Sequence, residues 1–457
     1  MTRNPEFQRQ LWLNWRPSLI AWSLGLSALV LALPLALSDP DQRAARLGIT
    51  ALAGLWMVTV VYGGTLAGRS LSEEARQNTW DWQRLSALSP WQMAWGKLLG
   101  ATVPAWLYAL WLGLATLFVS SAWDKLTELR GLSLHAVGLA VLWGLGLQAW
   151  SMSSVLLTWG QRPSANRRAA TLPVLFLFVI LPQLARLIVG VTNRTDSAVL
   201  WWGLNIGYIG AAWLFGALTL ALGLLALWRL LCQRLDVRTL PWAWPLGLAV
   251  CGFFGAGLMN VGFAGFCLVT GWIAMLGTAF VALQHMSSHL RDWRQVQWSA
   301  SRGRWREALQ ALPLWPVSWL LALAACVALR FLPHAAVSSP VGASAFGLAL
   351  CLQLLRDGLI LTGFALLAGR LRSPLAGFCI AWIVINIMLP LLAGGVAGPE
   401  GVAVAQPVFA FSSAAGPMRP AAWISLAVQL LLAALWAGWV FRDRVLGFAR
   451  ENAARPS

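Results

Sequence analysis

Long apolar runs alternate along this chain with short polar stretches. A helix that crosses a bilayer needs roughly 20 mostly apolar residues, and about 12 runs meet that length. They lie near 18–37, 47–67, 98–120, 132–158, 171–190, 199–228, 244–262, 264–285, 315–333, 344–367, 374–395 and 421–441. The stretch 199–228 is too long for one plain span, and an interfacial turn at Trp201-Trp202 is expected to open it. The thinnest boundary is Val261-Gly262-Phe263-Ala264-Gly265, just after Asn260. The expected fold is all-α: a polytopic membrane helix bundle.

Composition supports this reading. Of 457 residues, 59% are hydrophobic and only 11% charged, with a mean hydropathy of +0.68. Soluble domains run at about 45–50% and about 25%. Yet the net charge is +17, from 33 Lys+Arg against 16 Asp+Glu. Threaded on the spans with the N-terminus inside, 24 of the 33 cations fall in internal segments and seven in external ones. Arg186 and Arg356 remain within spans. With the acids included, the internal face carries +15 and the external face +1. This is the positive-inside pattern, and it places both termini on the cytoplasmic side of an inner (cytoplasmic) membrane. It also makes the bilayer, not nucleic acid, the partner of the positive charge. The N-terminal segment is not expected to be a cleavable signal. The six cysteines form no CxxC and fall in no expected external loop, so neither a disulfide nor a metal site is expected.

Two long internal segments, 68–97 and 286–314, match at an offset of 224. Leu85, Ala87, Leu88, Trp91 and Trp95 recur as Leu309, Ala311, Leu312, Trp315 and Trp319. Each follows the second span of a six-span set. Two parallel six-helix halves are therefore expected, 1–235 and 236–457, an arrangement known among transporters. Each internal segment should carry an amphipathic helix on the cytoplasmic surface. In the first, Ser70 or Ser72 would cap a helix with Glu73 and Glu74 in its first turn. Ser89-Pro90 would end it and start the next element.

The run Ser70-Leu-Ser-Glu73-Glu74-x4-Thr79-Trp80-x4-Leu85-x2-Leu88-Ser89-Pro90-Trp91-x4-Gly96-Lys97-Leu98-Leu99-Gly100 resembles the coupling region of ABC-transporter permeases of the type-2 exporter class. Glu6-Phe7-x-Arg9-x-Leu11-x5-Pro17-x-Leu19 resembles the amphipathic helix that precedes the first span in that family. The resemblance implies a membrane subunit whose helix at 73–90 docks on a separate ATP-binding cassette subunit, with two such subunits expected. Glu73, Glu74, Thr79, Trp80, Leu85, Leu88, Pro90 and Trp91 would form the docking region. Arg304, Trp305, Leu309, Leu312 and Trp315 would form its second copy. The chain departs from the family in fusing two halves, and its second copy lacks the acidic pair. That copy carries Asp292, Arg302, Arg304, Arg306 and Glu307 instead, which leaves open whether it docks as the first does.

No G-x-x-x-x-G-K-[ST] occurs, so no catalytic residue and no cofactor are assigned to this chain. ATP and Mg would be used by the partner. Charges inside spans cost roughly 2.5–3.5 kcal/mol each. Arg186, Arg356 and Asp357 are accordingly candidates for a translocation path, or for structural ion pairs. Adjacent helix residues diverge, so Arg356 and Asp357 are expected to seek partners on other helices. Three alternatives stand beside the exporter. An ion-coupled secondary transporter would want several buried carboxylates, and a membrane enzyme a cluster of polar groups at one face. The third is a non-transporting scaffold.

Overall fold

The computed structural model describes residues 4–77, 83–85, 88–122, 127–157, 199–237, 239–259, 262–284, 286, 288–332, 340–368, 370–371, 373–405 and 420–446. It is a helical bundle, and the chain is a multi-pass membrane protein. Among the described residues, nine helices are long and apolar enough to cross a membrane, or ten if one bent pair counts as a span. The expected run at 171–190 lies outside the described residues. The chain divides into two compact units, Met1–Val199 with Asn205–Arg238, and Leu200–Leu204 with Thr239–Ser457.

The first unit opens with α1 (Pro5–Asn14) and α2 (Pro17–Leu37). Pro at the first helical position starts each one, where its missing N–H costs nothing. α3 (Arg43–Trp56), a π-helical turn (Met57–Tyr62) and α4 (Gly63–Arg76) run on as one helix, Pro40–Arg76, of 37 residues. Wide π turns leave backbone carbonyls in need of partners. Here Gln148 donates to the Thr59 carbonyl at 2.9 Å and Ser151 to that of Gly64 at 2.7 Å.

α5 (Pro90–Ala101) is capped by Ser89, whose hydroxyl accepts from the Gln92 amide while the Gln92 side chain accepts from the Ser89 amide. The break expected at Ser89-Pro90 is therefore present, with a reciprocal cap. α6 (Val103–Ala122) is bent 57° from α5. α7 (Thr127–Leu157) and α8 (Gly207–Arg234) complete the unit. Before α8, Leu200–Trp201 pairs with Leu204–Asn205 across Trp202 and Gly203, both at positive φ (52° and 78°). That tight hairpin explains why the 199–228 run is longer than its helix. Leu71, Met93, Leu98, Met152, Leu156, Leu227 and Leu231 form one core cluster.

The second unit holds α9 (Ala243–Met259), α10 (Gly262–Gln284), α11 (His289–Ser301), α12 (Trp305–Ala311), α13 (Leu314–Phe331) and α14 (Pro340–Leu366). α15 (Pro374–Ile383) passes through a π turn (Val384–Met388) into α16 (Leu389–Ala405). α17 (Pro420–Phe441) ends in a further π turn, Arg442–Leu446. α9 has only 17 residues, shorter than the run expected there.

Candidate functional site

The acidic pair does not open a helix. Glu73 and Glu74 occupy the last turn of α4, and the second span continues through both. Ser70 and Ser72 cap nothing: their hydroxyls donate back to the carbonyls of Ala67 and Arg69, at 2.8 and 2.9 Å. Acids at a helix C-terminus face the negative end of its dipole, so each needs cations. Glu73 is exposed and takes Arg76 at 2.8 Å and Gln77 at 2.7 Å.

Glu74 turns inward, 8% exposed. It receives Lys97 at 2.5 Å, Arg9 at 2.6 Å and Gln10 at 3.1 Å. Glu6 of α1 joins them. It accepts from Arg9 through both oxygens, at 2.8 and 2.9 Å, from Lys97 at 3.0 Å and from Gln10 at 3.1 Å. The cluster holds two acids and two bases, with Lys97 and Glu6 almost fully buried. Burial opposes the charge on Glu6. The Arg9 hydrogen bonds, the Lys97 charge and Gln10 outweigh it and hold the carboxyl down at about 2. Arg9, bonded to Glu6, is held above its ordinary range.

Glu6, Arg9, Glu74 and Lys97 all lie in the motifs of the sequence, but their spacing does not bring them together. Glu74, expected at the docking surface, has its carboxylate engaged by Lys97, Arg9 and Gln10 of the chain itself. The available signal was a Lys framed by two glycines. α1 lies against α5 at Gly96 and Gly100, where an added Cβ would meet Glu6 Cβ at 2.8 Å and Gln10 Cβ at 2.5 Å. α1 is also inverted relative to a soluble amphipathic helix. Its polar Glu6 and Gln10 face the protein, while Trp12 and Leu13 are 86% and 63% exposed. An outward apolar face of this kind suits the bilayer interface.

Thr79 and Trp80 lie outside the described residues. Leu85 is 82% exposed, Leu88 packs on the core cluster, and Pro90 starts α5. Trp91 stacks on Trp228 with ring centroids 5.8 Å apart. Arg84 pairs with Asp236. In the second segment Arg304, Trp305 and Leu309 are exposed, and Leu312 is half-buried where α12 ends. Trp315, expected in the second docking segment, is buried. It sits in the first turn of α13, 4% exposed, packed with Val281 and Leu361.

The intramembrane pair also differs from expectation. Arg356 bonds its own neighbour Asp357 at 2.7 and 2.9 Å. The two Cβ atoms diverge, but the long arginine stem lets the guanidinium fold back to the adjacent carboxylate. Partners on other elements follow as well: Asn386 of the π turn at 2.6 Å, and Gln429 of α17. Trp382 donates to the second Asp357 oxygen at 3.0 Å, and Gln353 to Asn386 at 3.1 Å. Arg186 lies outside the described residues.

No family model, curated protein or solved structure matches this chain.

Proposed function

We propose that the chain is the membrane-spanning permease subunit of an ATP-driven ABC export system, of the type-2 exporter class it resembles. It would couple ATP hydrolysis by separate cytoplasmic subunits to movement of a substrate across the inner membrane, with both termini cytoplasmic. The observation that carries the reading is the Glu6–Arg9–Glu74–Lys97 network. It draws the three parts of the resemblance, the lead-in helix, the acidic pair and the Gly-Lys, onto one point. That linkage suits a device that passes a push from a docking segment into three helices at once. The outward Glu73 and Leu85 are the docking contacts in this reading.

The Arg356–Asp357–Asn386–Gln429 cluster is proposed as a polar element of the translocation path. An ion-coupled secondary transporter is the second reading. It is weaker because Asp357, the carboxylate it would use, is already neutralised by Arg356.

Co-purification with candidate ATP-binding cassette subunits tests the proposal. Leu85→Arg and Glu73→Arg are expected to abolish co-elution while leaving thermal stability unchanged, since both side chains face outward. Undiminished association of both variants would overturn the docking assignment.

A further inference from the structure

We propose that the tip of the α11–α12 hairpin is a lipid-headgroup surface, on which Trp298, Arg302, Arg304, Trp305, Arg306 and Leu309 bind anionic phospholipid. The inference rests on the membrane fold and the charge, and does not need the ATP-driven reading.

Gly303, at φ 71°, reverses the chain between the two helices. That turn brings two guanidinium groups to one indole: Arg302 lies 4.0 Å and Arg304 5.7 Å from the Trp298 ring centroid. Trp305 and Leu309, one helical turn apart, are 67% and 52% exposed. Ala308 and Ser299 take the inward positions. The tip is therefore outwardly both cationic and apolar.

The positive charge is not cancelled locally. Residues 289–311 carry five arginines against Asp292 and Glu307. Asp292 is taken by Ser288 at 2.7 Å and Arg291 at 3.6 Å, and Glu307 lies 3.7 Å from Arg304. Arg302 and Arg306 have no ion-pair partner among the described residues.

Position favours lipid over protein. The hairpin is tethered at both feet, by α10 ending at Gln284 and α13 starting at Leu314. Leu290 and Trp293 of α11 pack on Leu366, Val440 and Val445, at the ends of α14 and α17. α11 is thus packed against the ends of apolar helices long enough to cross a membrane, which would put it near the bilayer surface. Indole and leucine side chains there reach the acyl boundary while arginines meet phosphates. The inward-facing leaflet, to which the charge asymmetry assigns this end, is anionic in most cells.

The test uses the full chain in nanodiscs of phosphatidylcholine mixed with an equal part of phosphatidylglycerol. Photoreactive analogues of each lipid are cross-linked, and the labelled peptides are mapped by mass spectrometry. The phosphatidylglycerol probe is expected to label the segment 298–309 well above the phosphatidylcholine probe. The variant R302Q/R304Q/R306Q is expected to lower that preference, by up to about five-fold per arginine. Raised salt on the unaltered chain should lower it too, which gives a reading without any substitution. Equal labelling by the two probes would overturn the proposal. So would absence of label on this segment together with loss of a co-purified ATP-binding subunit in the variant, which would assign the tip to protein docking. Loss of lipid preference with that subunit retained would support the headgroup surface and leave the ATP-driven reading standing.

Discussion

Glu73 is exposed and held by its own helix through Arg76 and Gln77, while Glu74, one step round the helix, is buried against Lys97, Arg9 and Gln10. A helix turns about 100° per residue, so neighbours in sequence face different surroundings. What the acids have in common is local and legible in the sequence. What separates them depends on residues 23 to 65 positions away, and spacing rules carry no such information. Glu6 gives the cluster a measurable signature. Its carboxyl falls from the ordinary 4.5 to about 2 in the folded chain. A depressed acid stabilises the fold above its unfolded value, and that contribution disappears as pH falls through the folded one. We therefore expect the stability gap between the unaltered chain and Glu6→Gln, measured by unfolding in detergent, to shrink between pH 4.5 and about 2. The full difference is of order 3 kcal/mol. A gap independent of pH would contradict the network.

The start at Ser89-Pro90 was legible, and it opens a helix with a capping side chain before the proline. The structure shows the same device at Asn4-Pro5 and Ser373-Pro374. The same logic failed at Ser70 and Ser72. A serine followed by acids reads as an N-cap, but those hydroxyls bond back into a helix that never stopped. The 37-residue helix was hidden because its polar last turns look like a new surface helix. At Arg356 the rule that adjacent residues diverge holds for Cβ atoms, yet a guanidinium on a long stem escapes it. The seat of α1 on α5 belongs to this scale. Gly100→Val would drive a side chain into Gln10 and should loosen α1 at a cost of about 2 kcal/mol. Limited trypsin digestion should then cut after Arg9 faster than in the unaltered chain. An unchanged rate would mean that the glycine contact does not hold α1.

At the scale of the molecule, the all-helical, multi-pass character was fully legible, because 59% hydrophobic content in spans of this length admits little else. The number of spans was less so: one expected run lies outside the described residues, and another is a helix of 17 residues. The net charge of +17 gains its meaning from placement, with +15 assigned to one face. The two long polar segments, 68–97 and 286–314, are built differently. The first is tied to its unit at Glu74 and Lys97 by a balanced ion network, with Leu85 left exposed. The second presents arginine and tryptophan outward on a hairpin. The two segments therefore present different surfaces, and the two proposals, a protein partner for the first and lipid for the second, rest on that difference.

In the function proposed above, this chain couples to an ATP-hydrolysing partner. The direct measurement is the hydrolysis rate of a co-purified ATP-binding cassette subunit, in proteoliposomes with and without the chain. The chain is expected to raise the rate, and Leu85→Arg, folded to the same melting temperature, is expected not to. A rate indifferent to the chain, or raised equally by the variant, would contradict it.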